Sequence, residues 1–378
     1  MNILRTTLGF LVVFLCTNIA WCQDATMPTQ DTTTPTCYDG VGSYTFSVSF
    51  GTCHQRSPRS TAEICSSFTL ISNETREKGG VDVSNLSNPP FDYSRDTKII
   101  IPGFTNEFLD EKWDQLKEAF LDERNNVIMV NWSQAANLTN YAQARADARV
   151  VGFQVAHVIS YIVNNTNATY DQMHLIGGGM GAHVAGYAGS TGQQMARITG
   201  LDPAGAEGNP VTFGLSGGPS RGQQCRLDIT DAEYVDIIHT NAHSGLDGGY
   251  IGLPYQLGHQ DFFVNSGTNQ PGCNEHGEDE EVCNHGRALD YFIESVPLAN
   301  YGSFPCEEKA HTLEELQDGA GVACNPENPC PEMGYRAEKI KGDGFAYLVE
   351  TNAESPYTMP YPTIQHWTST TGVSGSIE

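Results

Sequence analysis

The chain has 378 residues, with 20 basic against 45 acidic side chains and 39% hydrophobic residues, so its formal charge is −25 and its pI lies near 4.6. An acidic field of that size repels phosphate backbones and anionic lipid surfaces, which excludes nucleic acid as a partner. The hydrophobic share excludes wholesale disorder and supports a packed core, in one large domain or two moderate ones.

Residues 1–22 read as a signal peptide: Arg5 supplies the positive end, Leu8 to Leu15 the apolar stretch, and Ala20 with Cys22 the small residues before a cut. That apolar stretch is too short to span a bilayer, so a secreted, extracellular protein is expected. Sequons at Asn73, Asn85, Asn137, Asn164 and Asn167 agree with that route. A sixth, at Asn131, sits in a strand-like run and is expected to escape glycosylation. Residues 23–36 form a Thr/Pro-rich leader, the folded part runs over 37–352, and 353–378, with Pro356, Pro360 and Pro362, read as a flexible tail.

In chain order, the apolar patterning predicts a strand at Lys98–Ile101, a helix at Leu109–Leu121, a strand at Asn126–Trp132, a helix at Tyr141–Val163 and a strand at Gln172–Gly177. A helix at Gly181–Ala188, strands at Ala196–Leu201 and Tyr234–Thr240, and a helix at Arg287–Ser295 follow. Alternating strands and helices imply an α/β fold with a mostly parallel sheet, whose ligand site lies beyond the carboxyl ends of the strands.

The segment MHLIGGGMGAHVAGYAG, Met173 to Gly189, carries an apolar strand through a glycine-rich turn into a small-residue helix. That is the setting of the nucleophile elbow, GxSxG, in α/β-hydrolases. Here the five positions are Gly177, Gly178, Gly179, Met180 and Gly181, and Gly179 has no Oγ to activate. GLSGG around Ser216 satisfies the pattern formally, but no apolar strand precedes it. Ser190 lies at the far end of the elbow helix and Ser244 in a glycine-rich loop, and neither sits where a nucleophile is needed.

Downstream stand ITGLDPAG around Asp202 and CNHGRALDYFIES around His285, with IIIPGF (Ile99 to Phe104), VNW (Val130 to Trp132), DIIHT (Asp236 to Thr240), GHQDFF (Gly258 to Phe263), PGC (Pro271 to Cys273), CPEMG (Cys330 to Gly334) and GFAYLVET (Gly344 to Thr351). In these motifs and their order the chain resembles the pancreatic lipase family of secreted lipases, phospholipases A1 and yolk proteins. The resemblance implies an α/β-hydrolase fold: a mostly parallel central sheet flanked by helices, in a single domain without the family's C-terminal β-sandwich. It places the triad on Gly179 as nucleophile position, Asp202 as acid and His285 as base, and the oxyanion donors on the backbone N–H groups of Phe104 and Met180. The histidines usual before the nucleophile and before the oxyanion-hole glycine are replaced by Gly178 and Pro102.

The resemblance also implies disulfides Cys273–Cys283, closing a lid loop, and Cys324–Cys330. The lid, NEHGEDEEV, has five acidic residues of nine and no apolar face, so opening onto an oil surface is not expected. Weak calcium binding is a nonspecific extra for such a loop. No colipase-type partner is expected. Cys37 with Cys53 makes a plausible local loop, leaving Cys65, Cys225 and Cys306, an odd number. One thiol therefore stays free or joins two chains in a disulfide-linked homodimer. No cofactor is expected, and metal ligation has little support, because His183, His239 and His259 fall in scaffold motifs.

Loss of the nucleophile of a serine hydrolase costs about 10⁶ in turnover. The chain is thus expected to be a secreted, catalytically inactive homologue with a binding, yolk-like storage or structural role, its ligand a lipid or other hydrophobic small molecule. The alternative is an active carboxylic ester hydrolase, phospholipase A1 or triacylglycerol lipase, with an unrecognised nucleophile. Asp202 and His285 are open to two readings: a buried hydrogen bond too costly to half-remove, or a ligand site.

Overall fold

The computed structural model describes residues 58–82, 92–104, 110–136, 140–205, 225–242, 252–273, 280–297, 304–325, 327–340 and 344–359, and the backbone of two short strands before them. Those strands, β1 (Thr36–Tyr38) and β2 (Gly42–Tyr44), pair antiparallel. Then follow α1 (Thr61–Ile64), β3 (Ser67–Ile71), β4 (Val81–Asp82), β5 (Thr97–Ile101), α2 (Asp110–Asp122), β6 (Asn126–Asn131), α3 (Ser133–Ala136), α4 (Tyr141–Asn165), β7 (Met173–Gly178) and α5 (Met180–Gly189). The second half contributes β8 (Arg197–Leu201), β9 (Tyr234–His239), β10 (Gln260–Val264), α6 (Glu280–Glu294), β11 (Phe304–Ala310), α7 (Leu313–Gln317), β12 (Val322–Ala323), β13 (Glu332–Met333) and β14 (Phe345–Val349).

One sheet runs β12-β11-β14-β10-β9-β8-β7-β5-β6-β3-β4, with β13 on β11. Its centre, from β14 to β6, is parallel throughout, and antiparallel strands close both edges. Buried on both faces, the central strands need apolar residues at every position rather than at alternate ones. Ile99, Ile100 and Ile101 of β5 accordingly all lie in the core. Helices α3, α4 and α5 cover one face around Val151, Val155, Leu175 and Val184. Helices α2 and α6 cover the other around Trp113, Phe120, Ile176 and Phe292. Where α4 crosses α5, a Cβ on Gly152 would lie 2.5 Å from the Tyr187 Cβ and 2.7 Å from the Val184 carbonyl, so only glycine permits that approach.

This is the α/β-hydrolase architecture that the motifs imply. The expected central strands and helices lie within about two residues of those observed, except that α6 begins at Glu280 instead of Arg287. Its first turn, Glu280 and Glu281, is polar and hides from an apolar pattern, yet acidic residues favour a helix N-terminus. Two further expectations are corrected. Residues 353–359 are not loose: the Ser355 hydroxyl and the Thr358 N–H donate to Glu294, and Tyr357 packs edge-on against Tyr291 at 5.0 Å. Asn131 is exposed at the end of β6, its Oδ1 accepting from the Ser133 N–H at 3.1 Å, and is not shielded by the sheet. Asn73, Asn164 and Asn167 are exposed as well. The signal peptide, the Thr/Pro leader up to residue 35, Asn85, Asn137, Ser216 and Ser244 lie outside the described residues.

Candidate active site

Three adjacent strands deliver the site. At the end of β7 the chain turns through Gly179, whose φ of 52° and ψ of −118° only glycine adopts without strain, and starts α5 at Met180. The Gly179 N–H donates to the Leu201 carbonyl at the end of β8, and the next N–H, that of Asp202, donates to Ile238 in β9. Position 179 and Asp202 are thereby tied to neighbouring strand ends.

Asp202 is fully buried, with a left-handed φ of 43°. Its Oδ1 accepts from the N–H groups of Thr240 and Asn241 at 2.9 and 3.0 Å. Its Oδ2 takes the Nδ1 of His285 at 2.6 Å. Gly252 packs so closely on this carboxylate that a Cβ there would fall 2.5 Å from Oδ1. A carboxylate partner at Nδ1 puts the ring proton there and leaves the Nε2 lone pair facing outward. A Cβ built on Gly179 would lie 3.0 Å from that Nε2. Gly179, Asp202 and His285 are therefore brought together at one place.

The segment to which the resemblance assigns the first oxyanion donor abuts the elbow. A Cβ on Gly181 would sit 2.1 Å from the Ile101 carbonyl, and one on Gly103 would sit 2.8 Å from that of Gly178, so bare backbone meets bare backbone. This contact brings the stretch ending at Phe104 against the start of α5 at Met180. Trp132 holds it there, its indole N–H donating to the Pro102 carbonyl at 2.8 Å. The Phe104 ring packs edge-on against Tyr141 at 5.3 Å, and the Tyr141 hydroxyl donates to the Gly205 carbonyl. The N-terminus of α5 adds a positive potential where an oxyanion would form.

Helix α6 is fastened by contacts between segments distant in sequence. Asn284 Oδ1 accepts from the Gln270 N–H at 2.7 Å, and the Gln270 amide donates to the Thr240 carbonyl at 2.9 Å. The Asn241 amide donates to Glu281 at 2.9 Å. The strand end that holds Asp202 thus also holds the helix that carries His285. The Cys273–Cys283 disulfide closes the loop before the same helix, while residues 274–279 of the lid lie outside the described residues.

One departure from the family pattern has a steric meaning. A Cβ on Gly178 would lie 2.6 Å from the six-membered ring of Trp113, so the indole takes up the space that a side chain at 178 would need. Ser190 caps the far end of α5 and donates to the Tyr187 carbonyl, away from the turn.

The other singled-out histidines are each held separately. His183 lies between the Ala204 carbonyl and the Leu227 N–H, and burial lowers its pKa to about 4. His259 accepts from the Val235 N–H, and His239 pairs with Asp261 at 2.9 Å. Cys324–Cys330 is formed, and Cys65 and Cys225 are disulfide-bonded. The free cysteine among the described residues is Cys306, buried, with its thiol donating to the Pro331 carbonyl at 2.9 Å. A bond to another chain through Cys306 would require that edge of the sheet to open.

Against known proteins, the family model described as Lipase matches residues 43–357. The chain is 33% identical over 331 residues to the inactive pancreatic lipase-related protein 1 of Mus musculus, covering 80% of this chain and 66% of that protein. It is 31% identical to the pancreatic lipase-related protein 2 of Cavia porcellus (85% and 73% covered) and 32% identical to the pancreatic triacylglycerol lipase of Mus musculus (81% and 68% covered). The chain spans about two thirds of the length of these relatives.

Proposed function

The chain belongs to the lipase family, and from that premise we propose that it is a secreted homologue that has given up the family's covalent turnover and serves to bind or store a ligand. One observation carries the reading: position 179 offers no Oγ, while Asp202 and His285 stay aligned at 2.6 Å beneath it. Without a serine no acyl-enzyme forms at this turn, and the rate falls by about 10⁶. What remains fits a carboxylate or ester carbonyl, with the backbone N–H groups of Phe104 and Met180 toward its oxygen and His285 beside it. A lipid or other hydrophobic small molecule is the class of ligand this suits. The word inactive in the name of one relative agrees with this reading. Among the described residues no helix is long and apolar enough to cross a membrane, and the exposed sequons Asn73, Asn164 and Asn167 suit glycosylation on export.

The test is a fluorophosphonate probe on the purified protein, together with lipid extraction and mass spectrometry. No covalent labelling and a co-purifying lipid are expected. Stoichiometric labelling would overturn the reading in favour of an ester hydrolase with another nucleophile.

A further inference from the structure

We propose that Asn131 carries an N-linked glycan and that this glycan stands at the mouth of the candidate site. The proposal rests on the reading of the chain as secreted and goes beyond it, since it depends on position 131 and not on what the site binds. The sequon is Asn131, Trp132 and Ser133, at the end of β6. Its first residue is exposed, although Val130 before it and Trp132 after it are buried. The Asn131 Oδ1 accepts from the Ser133 N–H at 3.1 Å, while its Nδ2 has no partner among the described residues. The nitrogen that takes a sugar is thus the one the fold leaves unused. A bulky, solubilising group needs a surface position in the finished fold, and Asn131 has one. In the transfer, Nδ2 attacks the anomeric carbon of a lipid-pyrophosphate oligosaccharide. The N–C bond forms, the C–O bond to the pyrophosphate breaks with its electron pair, and the amide gives up one proton to solvent.

The sheet register fixes where the glycan stands. Met129 pairs with Ile100 of β5, and Ile101 pairs with Gly177 of β7. Continued past those pairs, the same register sets Asn131 level with Pro102 and Gly178, one residue short of the turn at Gly179. Asn131 is two strands from β7, about 10 Å across the sheet. The other described sequons stand at the opposite end. Asn73 follows β3, whose Ile71 pairs with Val127 near the start of β6. Asn164 lies in the last turn of α4, and Asn167 in the connection to the start of β7. Among the described sequons, Asn131 alone shares the end of the sheet where Gly179, Asp202 and His285 meet. A hydrophilic sugar chain there meets any broad surface, of lipid or of protein, before His285 does, which leaves the site to single small molecules.

The experiment expresses the full chain in secreting animal cells with mannose trimming blocked, and maps its peptides after peptide N-glycanase, which leaves Asp at each modified Asn. Asp at position 131 is expected. Ser133→Ala keeps the backbone N–H that Asn131 uses and should lose that one glycan and no other. Asn131→Gln decides the matter if Ser133→Ala is not secreted. Asn131 recovered unmodified from protein modified at Asn73, Asn164 or Asn167 overturns the proposal and leaves the secreted reading standing. Retention in the cell with no sequon modified sinks both. Placement is read from His285, 18% exposed, through its rate of carbethoxylation by diethyl pyrocarbonate. Saturating concanavalin A, a mannose-binding lectin, should slow that rate severalfold in the parent and leave it unchanged in Ser133→Ala. Equal rates in the two proteins under lectin would put the glycan away from the mouth and overturn its placement.

Discussion

Among the described residues two Asp–His pairs are built alike around the carboxylate, and they differ in the ring nitrogen it holds, Nε2 in His239 and Nδ1 in His285, and in what the other nitrogen faces. Asp202 and Asp261 are both fully buried, each accepts two backbone N–H groups, and each holds a histidine, at 2.6 and 2.9 Å. His239, the partner of Asp261, is 0% exposed and stacks flat on Phe263 at 4.3 Å. His285 is 18% exposed, and its outer nitrogen looks onto a residue with no side chain. A buried carboxylate–imidazole pair is therefore no sign of chemistry in itself. What the second ring nitrogen faces separates a strut from a working group.

The comparison breaks most clearly in stability. His239→Ala removes a fully buried ring that stacks on Phe263 and leaves a cavity no solvent reaches, so a loss of about 2–5 kcal/mol is expected in urea unfolding. His285→Ala should cost about 1 kcal/mol, because solvent can reach the space left and Asp202 keeps its two backbone donors. Equal losses would mean that both pairs are scaffold, which would undo the ligand-site reading of His285.

A buried histidine held by backbone groups on both ring nitrogens sharpens the contrast. His183 has a folded pKa of about 4, below the ordinary 6.5, so as pH falls the unfolded chain takes up its proton first. The stability is complete above about 6.5 and is lost progressively down to about 4, by about 3 kcal/mol from this group. His174, lowered by burial and by Arg197 and Lys98, acts in the same direction, while the raised carboxyl of Asp231 opposes it. Comparing denaturation at pH 7 and pH 4.5 in the parent and in His183→Gln isolates the effect, and the variant should show the smaller drop. An unchanged drop would disprove it.

Smaller effects are expected at the turn itself. Gly178→His must displace the Trp113 indole, an overpacking worth about 1–3 kcal/mol. A double-mutant cycle with Trp113→Ala should show favourable coupling. Strict additivity of the two losses would contradict the steric account. Gly179→Ser, strained by its positive φ and close to Nε2, should lose about 1 kcal/mol. A rise in melting temperature would mean that the turn was never relieved by its glycine.

Much of this was legible beforehand, for identifiable reasons. Strands β5, β6, β7, β8 and β9 announce themselves as apolar runs because both faces of the sheet are covered, and the elbow is marked by glycines that the backbone contacts require. Strand β3, next to the edge strand β4, carries no such mark, because its first three positions are only half-buried and no clean alternation runs through it. His285 was placed by motif but not in its element, since the polar first turns of α6 carry no apolar period. The Asn284–Gln270–Thr240 linkage and the Trp113 plug could not be read at all. They depend on side chains distant in sequence meeting across the sheet end.

Cys306 has a further consequence. Burial and the nearby Glu307 and Glu332 push its thiol pKa well up, so the thiolate that reacts with alkylating reagents is scarce while the sheet is intact. Its modification rate is then a clock for opening of the β11 edge. The residue that makes the cysteine count odd can thus serve as an internal probe, reporting how often that edge detaches without any label being introduced.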